Sequence, residues 1–151
     1  MIEKLDKSKS KKILGDINTH FQSDYEPTGT LLSKKKGDTL KIFLYSGDYL
    51  PESLLHWVGV HIASFNGYLR LLSVEGAQAV AKTADRNVVE VSKKQVEQVM
   101  AGRDIEVDGM YEGCVILRRG PDVVGVGTAE NKKIVNEIAT SRRLIRYPKR
   151  D

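Results

Sequence analysis

Gly113-Cys114-Val115-Ile116-Leu117-Arg118-Arg119-Gly120-Pro121-Asp122-Val123-Val124-Gly125-Val126-Gly127-Thr128 contains two apolar runs separated by turn residues. Each run is short, rich in β-branched residues and bounded by Gly, Pro or Asp, which is the pattern of a strand rather than of a helix. Strands are therefore predicted over residues 113–119 and 122–128, joined by Arg119-Gly120-Pro121-Asp122. Ile134-Val135 and Leu144-Ile145 add two further short apolar pieces downstream.

Upstream of this pair, helical and extended signals alternate. Ser92 is placed to cap a helix over residues 93–101 with Val96, Val99 and Met100 on one face and Gly102 as its stop. A short strand is predicted over residues 87–91, and Ser73 caps a short helix that ends near Ala84. Residues 58–65 and 68–72 read as strands joined at Asn66-Gly67, the strongest short hairpin signal in the chain. Pro51 suits the first position of a two-turn helix carrying Leu54, Leu55 and Val58.

Residues 39–46 alternate as a strand, behind a charged loop or hairpin tip at Lys34-Lys35-Lys36-Gly37-Asp38. Ile13, Leu14, Ile17 and Phe21 form the apolar stripe of a helix over residues 8–21. Many short strands with small helices between them predict an α+β protein containing a compact barrel.

A length of 151 residues allows one or two small domains, and 40% apolar with 29% charged residues is ordinary for a globular chain. No apolar run is long enough to span a bilayer, and Met1-Ile2-Glu3-Lys4 lacks a signal-peptide core, so a cytoplasmic protein is expected. The net charge of +4 is unevenly spread. Residues 132–150 hold seven basic side chains against the single acid Glu137, whereas residues 1–131 hold 17 basic and 18 acidic ones. A local basic surplus of this kind suits phosphate binding.

Catalytic patterns are missing. Gly125-Val126-Gly127 lacks the third Gly or Ala of a dinucleotide fingerprint, where Glu130 stands, and no Gly-Lys-Ser/Thr of a P-loop follows. The two glycines suit a strand that bends or lets another backbone approach closely. Cys114, the only cysteine, lies in an apolar strand and is expected to pack as a small hydrophobe. His20, His56 and His61 are scattered, without triad or metal-ligand spacing. No enzyme activity, no metal and no cofactor are expected.

The basic residues fall into separate groups. Lys4, Lys7, Lys9, Lys11 and Lys12 belong to the polar side of the first helix region, and Lys34, Lys35 and Lys36 fit either a backbone contact or a blunted sheet edge. Arg118 and Arg119, next to Gly120-Pro121, are a second choice for a phosphate contact, the alternative being that they only neutralise Asp122 and Glu112. Arg142, Arg143 and Arg146 interleave with Leu144 and Ile145; alternation along a strand sends Arg142 and Arg146 to one side and Arg143 to the other.

Taken in order, Ser73-Val74-Glu75-Gly76-Ala77-Gln78, Asn87-Val88-Val89-Glu90-Val91, Gly102-Arg103-Asp104-Ile105, Gly113-Cys114-Val115-Ile116-Leu117-Arg118, Val124-Gly125-Val126-Gly127 and Ser141-Arg142-Arg143 resemble a PUA domain. The similarity is to the PUA barrels attached to archaeal Sun-type RNA cytosine methyltransferases and some archaeal sulfotransfer-type enzymes. Small ribosome-biogenesis factors with a PUA domain after an α/β domain are similar too. The chain departs from the family pattern at Ala139-Thr140-Ser141, where a Pro-Lys precedes the paired arginines.

The resemblance implies a pre-PUA α/β segment over residues 1–67 and a PUA-type mixed β-barrel with short helices over residues 68–151. It implies RNA gripped by the first helix of the barrel, the strand after it and the last strand, where Lys82, Arg86, Arg142, Arg143 and Arg146 supply positive groups. The expected partner is a structured tRNA or rRNA in RNA modification or ribosome biogenesis. An RNA-modifying enzyme or a ribosome-assembly factor is a second expected partner, with the chain then acting as an adaptor subunit.

Overall fold

A computed structural model of the chain describes residues 2–47 and 59–138. The expected Pro51 helix, Leu144-Ile145 and the arginines at 142, 143 and 146 lie outside the described residues. Three helices and two five-stranded sheets make the described part a mixed α+β structure, arranged as two units, Met1–Arg86 and Asn87–Asp151.

The first unit contains strands β1 (Ile2–Lys4), β2 (Thr30–Lys36), β3 (Thr39–Tyr45), β4 (Val60–Phe65) and β5 (Leu69–Leu72), with helices α1 (Lys7–Phe21) and α2 (Val74–Val80). The strands lie in chain order and every neighbouring pair is antiparallel. Asp6 starts α1 by accepting the Lys9 amide at 2.8 Å, satisfying one of the unpaired donors of the first turn. The apolar stripe of α1 buries Ile17 and Phe21 completely. Gln22 ends the helix in the left-handed region (φ 47°), which turns the Gln22 and Ser23 amides onto the Asn18 carbonyl.

The lysine run ahead of Gly37 is part of β2 rather than of a loop. Lys36 pairs with Thr39, leaving only Gly37 and Asp38 at the tip, because Gly37 takes φ +62° and lets a two-residue turn match the twist of the strands. The turn expected at Asn66-Gly67 is one residue longer than a two-residue hairpin. Phe65 pairs with Leu69, the Asn66 amide donates to the Tyr68 carbonyl at 2.8 Å, and a bulge follows Ser64.

Ser73 caps α2, accepting the Gly76 amide at 2.9 Å and donating to the His61 carbonyl. Gly76 is required there, since a Cβ would collide with the Ile62 carbonyl oxygen. The strand and helix at 69–80, which the resemblance assigns to the barrel, therefore pair with and pack on β4 of the first unit.

The second unit contains β6 (Val88–Glu90), α3 (Lys93–Met100), β7 (Ile105–Glu106), β8 (Gly113–Arg119), β9 (Asp122–Glu130) and β10 (Lys133–Asn136). Its sheet runs β6-β8-β9-β10-β7, with β6 parallel to β8 and the other pairs antiparallel, and one of the chain's two described sheets is curled into a half-barrel. Val89, Val99, Ile105, Val115, Leu117 and Ile134 form the heart of its core. Cys114 is fully buried on β8.

Ser92 and Gln95 form a reciprocal capping box at the start of α3, and Gly102 (φ +82°) follows its end. Close approach explains Gly127: a Cβ there would strike Ile134 and stand 2.7 Å from the Val135 carbonyl oxygen of β10.

Candidate functional site

Lys82 and Arg86 follow α2 and both are exposed. The peptide that carries them is held in place by α1. The Asp85 and Arg86 amides each donate to the Phe21 carbonyl at 3.0 Å, and Thr83 Oγ1 accepts the Asp24 amide at 2.8 Å. A carbonyl at the end of a helix has no partner within the helix, so these amides satisfy it while fixing the loop. Asn18 stiffens the other side of this anchor: its Oδ1 accepts from Ser23 Oγ (2.7 Å) and the Tyr25 amide (2.9 Å), and its Nδ2 donates to the Tyr25 carbonyl (3.0 Å). Of the five residues expected to meet RNA, the described structure thus locates Lys82 and Arg86.

The turn-flanking arginines separate in role. Arg118 Nε lies 2.6 Å from Glu90 Oε1, while Glu90 Oε2 accepts the Gly120 amide at 3.2 Å. One carboxylate therefore ties the β8–β9 turn to β6, and Glu90 is a partner of Arg118 that the sequence reading did not name. Arg119 is exposed. Within the basic window, Lys133 faces Asp104 at 3.2 Å.

A second basic group emerges from the register of the first sheet. Lys34 stands directly opposite Lys41, and Lys36 opposite Thr39, so all four share one face. Lys4 joins them through its pairing with Leu32, and Phe43, also opposite Leu32, lies on that face too, with Leu32 itself fully buried between them. Phe43 meets His61 with ring centroids 5.3 Å apart and planes tilted by 45°. His61 Nε2 lies 3.1 Å from both the Ala63 carbonyl oxygen and Ser64 Oγ. Burial holds the His61 pKa below its ordinary 6.5; the bond to the Ala63 carbonyl opposes this, nearby Lys41 lowers it further and Glu75 opposes.

Sequence reasoning left Lys34 to Lys36 between two explanations and did not single out Lys41. The signal was present in Gly37-Asp38: a two-residue turn there fixes which residues of the two strands face one another.

A groove of about 590 Å³ runs along α1, with Lys7 and Lys11 beside Leu14, Asn18, Tyr25 and Leu31. Among the described residues no group of three or more His, Cys, Asp or Glu side chains is arranged to hold a metal ion, and no helix is long and apolar enough to cross a membrane. No family model matches the chain, and no curated protein matches it.

Proposed function

We propose that the chain is a non-catalytic RNA-binding protein with a PUA-type barrel, acting in the cytoplasm on structured tRNA or rRNA in RNA modification or ribosome biogenesis. The observation that carries this reading is the segregation of charge, seven basic residues against one acid over residues 132–150 in an otherwise balanced chain. The presence of a curled half-barrel sheet in the chain and the glycine-dependent approach of β9 to β10 support the barrel. The RNA contacts proposed for the chain are Lys82 and Arg86, together with Arg142, Arg143 and Arg146; guanidinium groups grip phosphate with two donors and stack on bases.

The test is a titration of bulk tRNA and of rRNA fragments across a salt series. Binding weakens as salt rises, and Arg142→Ala with Arg143→Ala flattens the plot of log affinity against log salt by roughly 0.7–0.9 for each phosphate no longer neutralised. Unchanged affinity and slope in this double variant would remove the arginines from the interface. Protein that binds neither RNA at low salt, yet co-purifies with a fixed modification enzyme or assembly factor, would instead be an adaptor subunit.

A further inference from the structure

We infer that the sheet of the first unit carries a contact face of its own for single-stranded nucleic acid, formed by Lys4, Lys34, Lys36 and Lys41 beside the Phe43–His61 ring pair. This face is additional to the arginines of the basic window and does not depend on them.

Lys34 and Lys41 are directly opposed on neighbouring strands, an arrangement in which like charges repel at short range and weaken the sheet. Among the described residues no acidic side chain forms a salt bridge with any of the four lysines. Guarding of a sheet edge accounts for Lys35 and Lys36, which lie beyond the reach of β1, but not for Lys34, which β1 covers through Ile2. Nor does it account for Lys41, because β3 is the central strand, between β2 and β4. The repulsion is relieved by a polyanion.

The choice among polyanions follows from the rings. Phe43 and His61 are only half-buried and sit in the same sheet as the lysines. Aromatic rings next to a lysine strip provide base stacking along a charged backbone track, the two components of single-strand recognition. Burial keeps the imidazole predominantly neutral near pH 7, which leaves His61 free to stack without adding a charge to the lysine cluster.

The experiment uses the whole chain and a fluorescent oligouridylate of about 12 nucleotides, within the usual range of single-strand sites, followed by anisotropy over a salt series. Lys34→Gln with Lys41→Gln is expected to weaken binding several-fold and to reduce the salt slope by about 1.4, from roughly 0.7 for each single-strand phosphate. The same double variant should melt no lower than wild type, since it removes a like-charge pair, so its weaker binding does not come from unfolding. Phe43→Leu, which keeps an apolar side chain, should weaken binding while leaving the slope unchanged. Arg142→Ala with Arg143→Ala should leave most of the oligouridylate affinity in place, so failure of the arginine site and failure of this face give different results. Wild-type affinity and slope in the lysine double variant would overturn the proposal. So would equal competition by poly-glutamate or by anionic vesicles, which would assign the lysines to an acidic protein or a lipid surface.

Discussion

Asn136 donates from Nδ2 to the Val99 carbonyl oxygen at 3.0 Å, joining the last described strand of the second unit to the helix α3. The same nitrogen reaches the Arg103 carbonyl at 2.9 Å, the Asn136 amide donates to Asp104 Oδ1 at 2.8 Å, and its Oδ1 accepts the Ile138 amide at 2.8 Å. A single side chain thus adds to the Val99 carbonyl, already met by the Gly102 amide, ties the Arg103 carbonyl just past α3 to β10, and fixes the path of the chain after β10. Asn136→Leu leaves both carbonyls and the Ile138 amide without this partner, and should cost about 1–3 kcal/mol. Urea denaturation followed by a second-unit probe checks the loss; Asn136→Asp, which keeps the acceptor but not the donors, should recover only part of it.

Gly127→Ala places a methyl against Ile134 and the Val135 carbonyl, where backbone rather than a flexible side chain must move. A cost of about 1–3 kcal/mol is expected for such overpacking. Gly15 lies within α1 in open space, and a Cβ added there would meet no atom within 4 Å. Gly15→Ala should therefore stabilise by about 0.5–1 kcal/mol through helix propensity alone. Opposite shifts of the two denaturation midpoints would bear out both accounts; equal shifts would remove the packing explanation for Gly127.

His61 provides a pH test. Its folded pKa lies below 6.5, so the unfolded chain takes up this proton first as pH falls. Its contribution is fully present above 6.5 and is lost as pH drops from 6.5 through the lower folded value. His61→Gln should therefore lose less stability than wild type on acidification from about pH 7 to pH 5, the range in which histidine titrates. Parallel stability profiles for the two proteins would rule out a lowered pKa at this site.

The Glu90 carboxylate holds both Arg118 and the Gly120 amide, so Glu90→Gln should loosen the β8–β9 turn. The pair is solvent-accessible, which limits the cost to roughly 1 kcal/mol or less. Amide exchange at Gly120 should accelerate in Glu90→Gln, while high salt should change it little in wild type, since the Gly120 contact is a hydrogen bond and not only an ion pair.

Local signals were the readable ones. Ser73 and Ser92 cap helices as their positions suggest, Gly102 follows α3, and Gly120-Pro121 turns β8 into β9, because each depends on residues within four places of one another. Contacts across the sheets were not readable in the same way. The parallel pairing of β6 with β8, the partnership of Glu90 with Arg118 and the bulge between Ile42 and Phe43 depend on segments that sequence separates. β1 and β7 have three and two residues, too few to show a period. The candidate site was legible in part for the same reason. Composition exposes the basic window at once, but the lysine face needs the register of two strands before Lys41 is seen opposite Lys34.

Cys114, sealed on β8 and paired with Thr128, gives the protein a chemical clock for its own opening. Thiol reagents attack the exposed thiolate, so alkylation must wait until β8 separates from its neighbours. With one cysteine in the sequence, every labelled molecule records that single event. Labelling rates measured with and without RNA would then show whether a ligand bound elsewhere on the chain restrains the breathing of this strand.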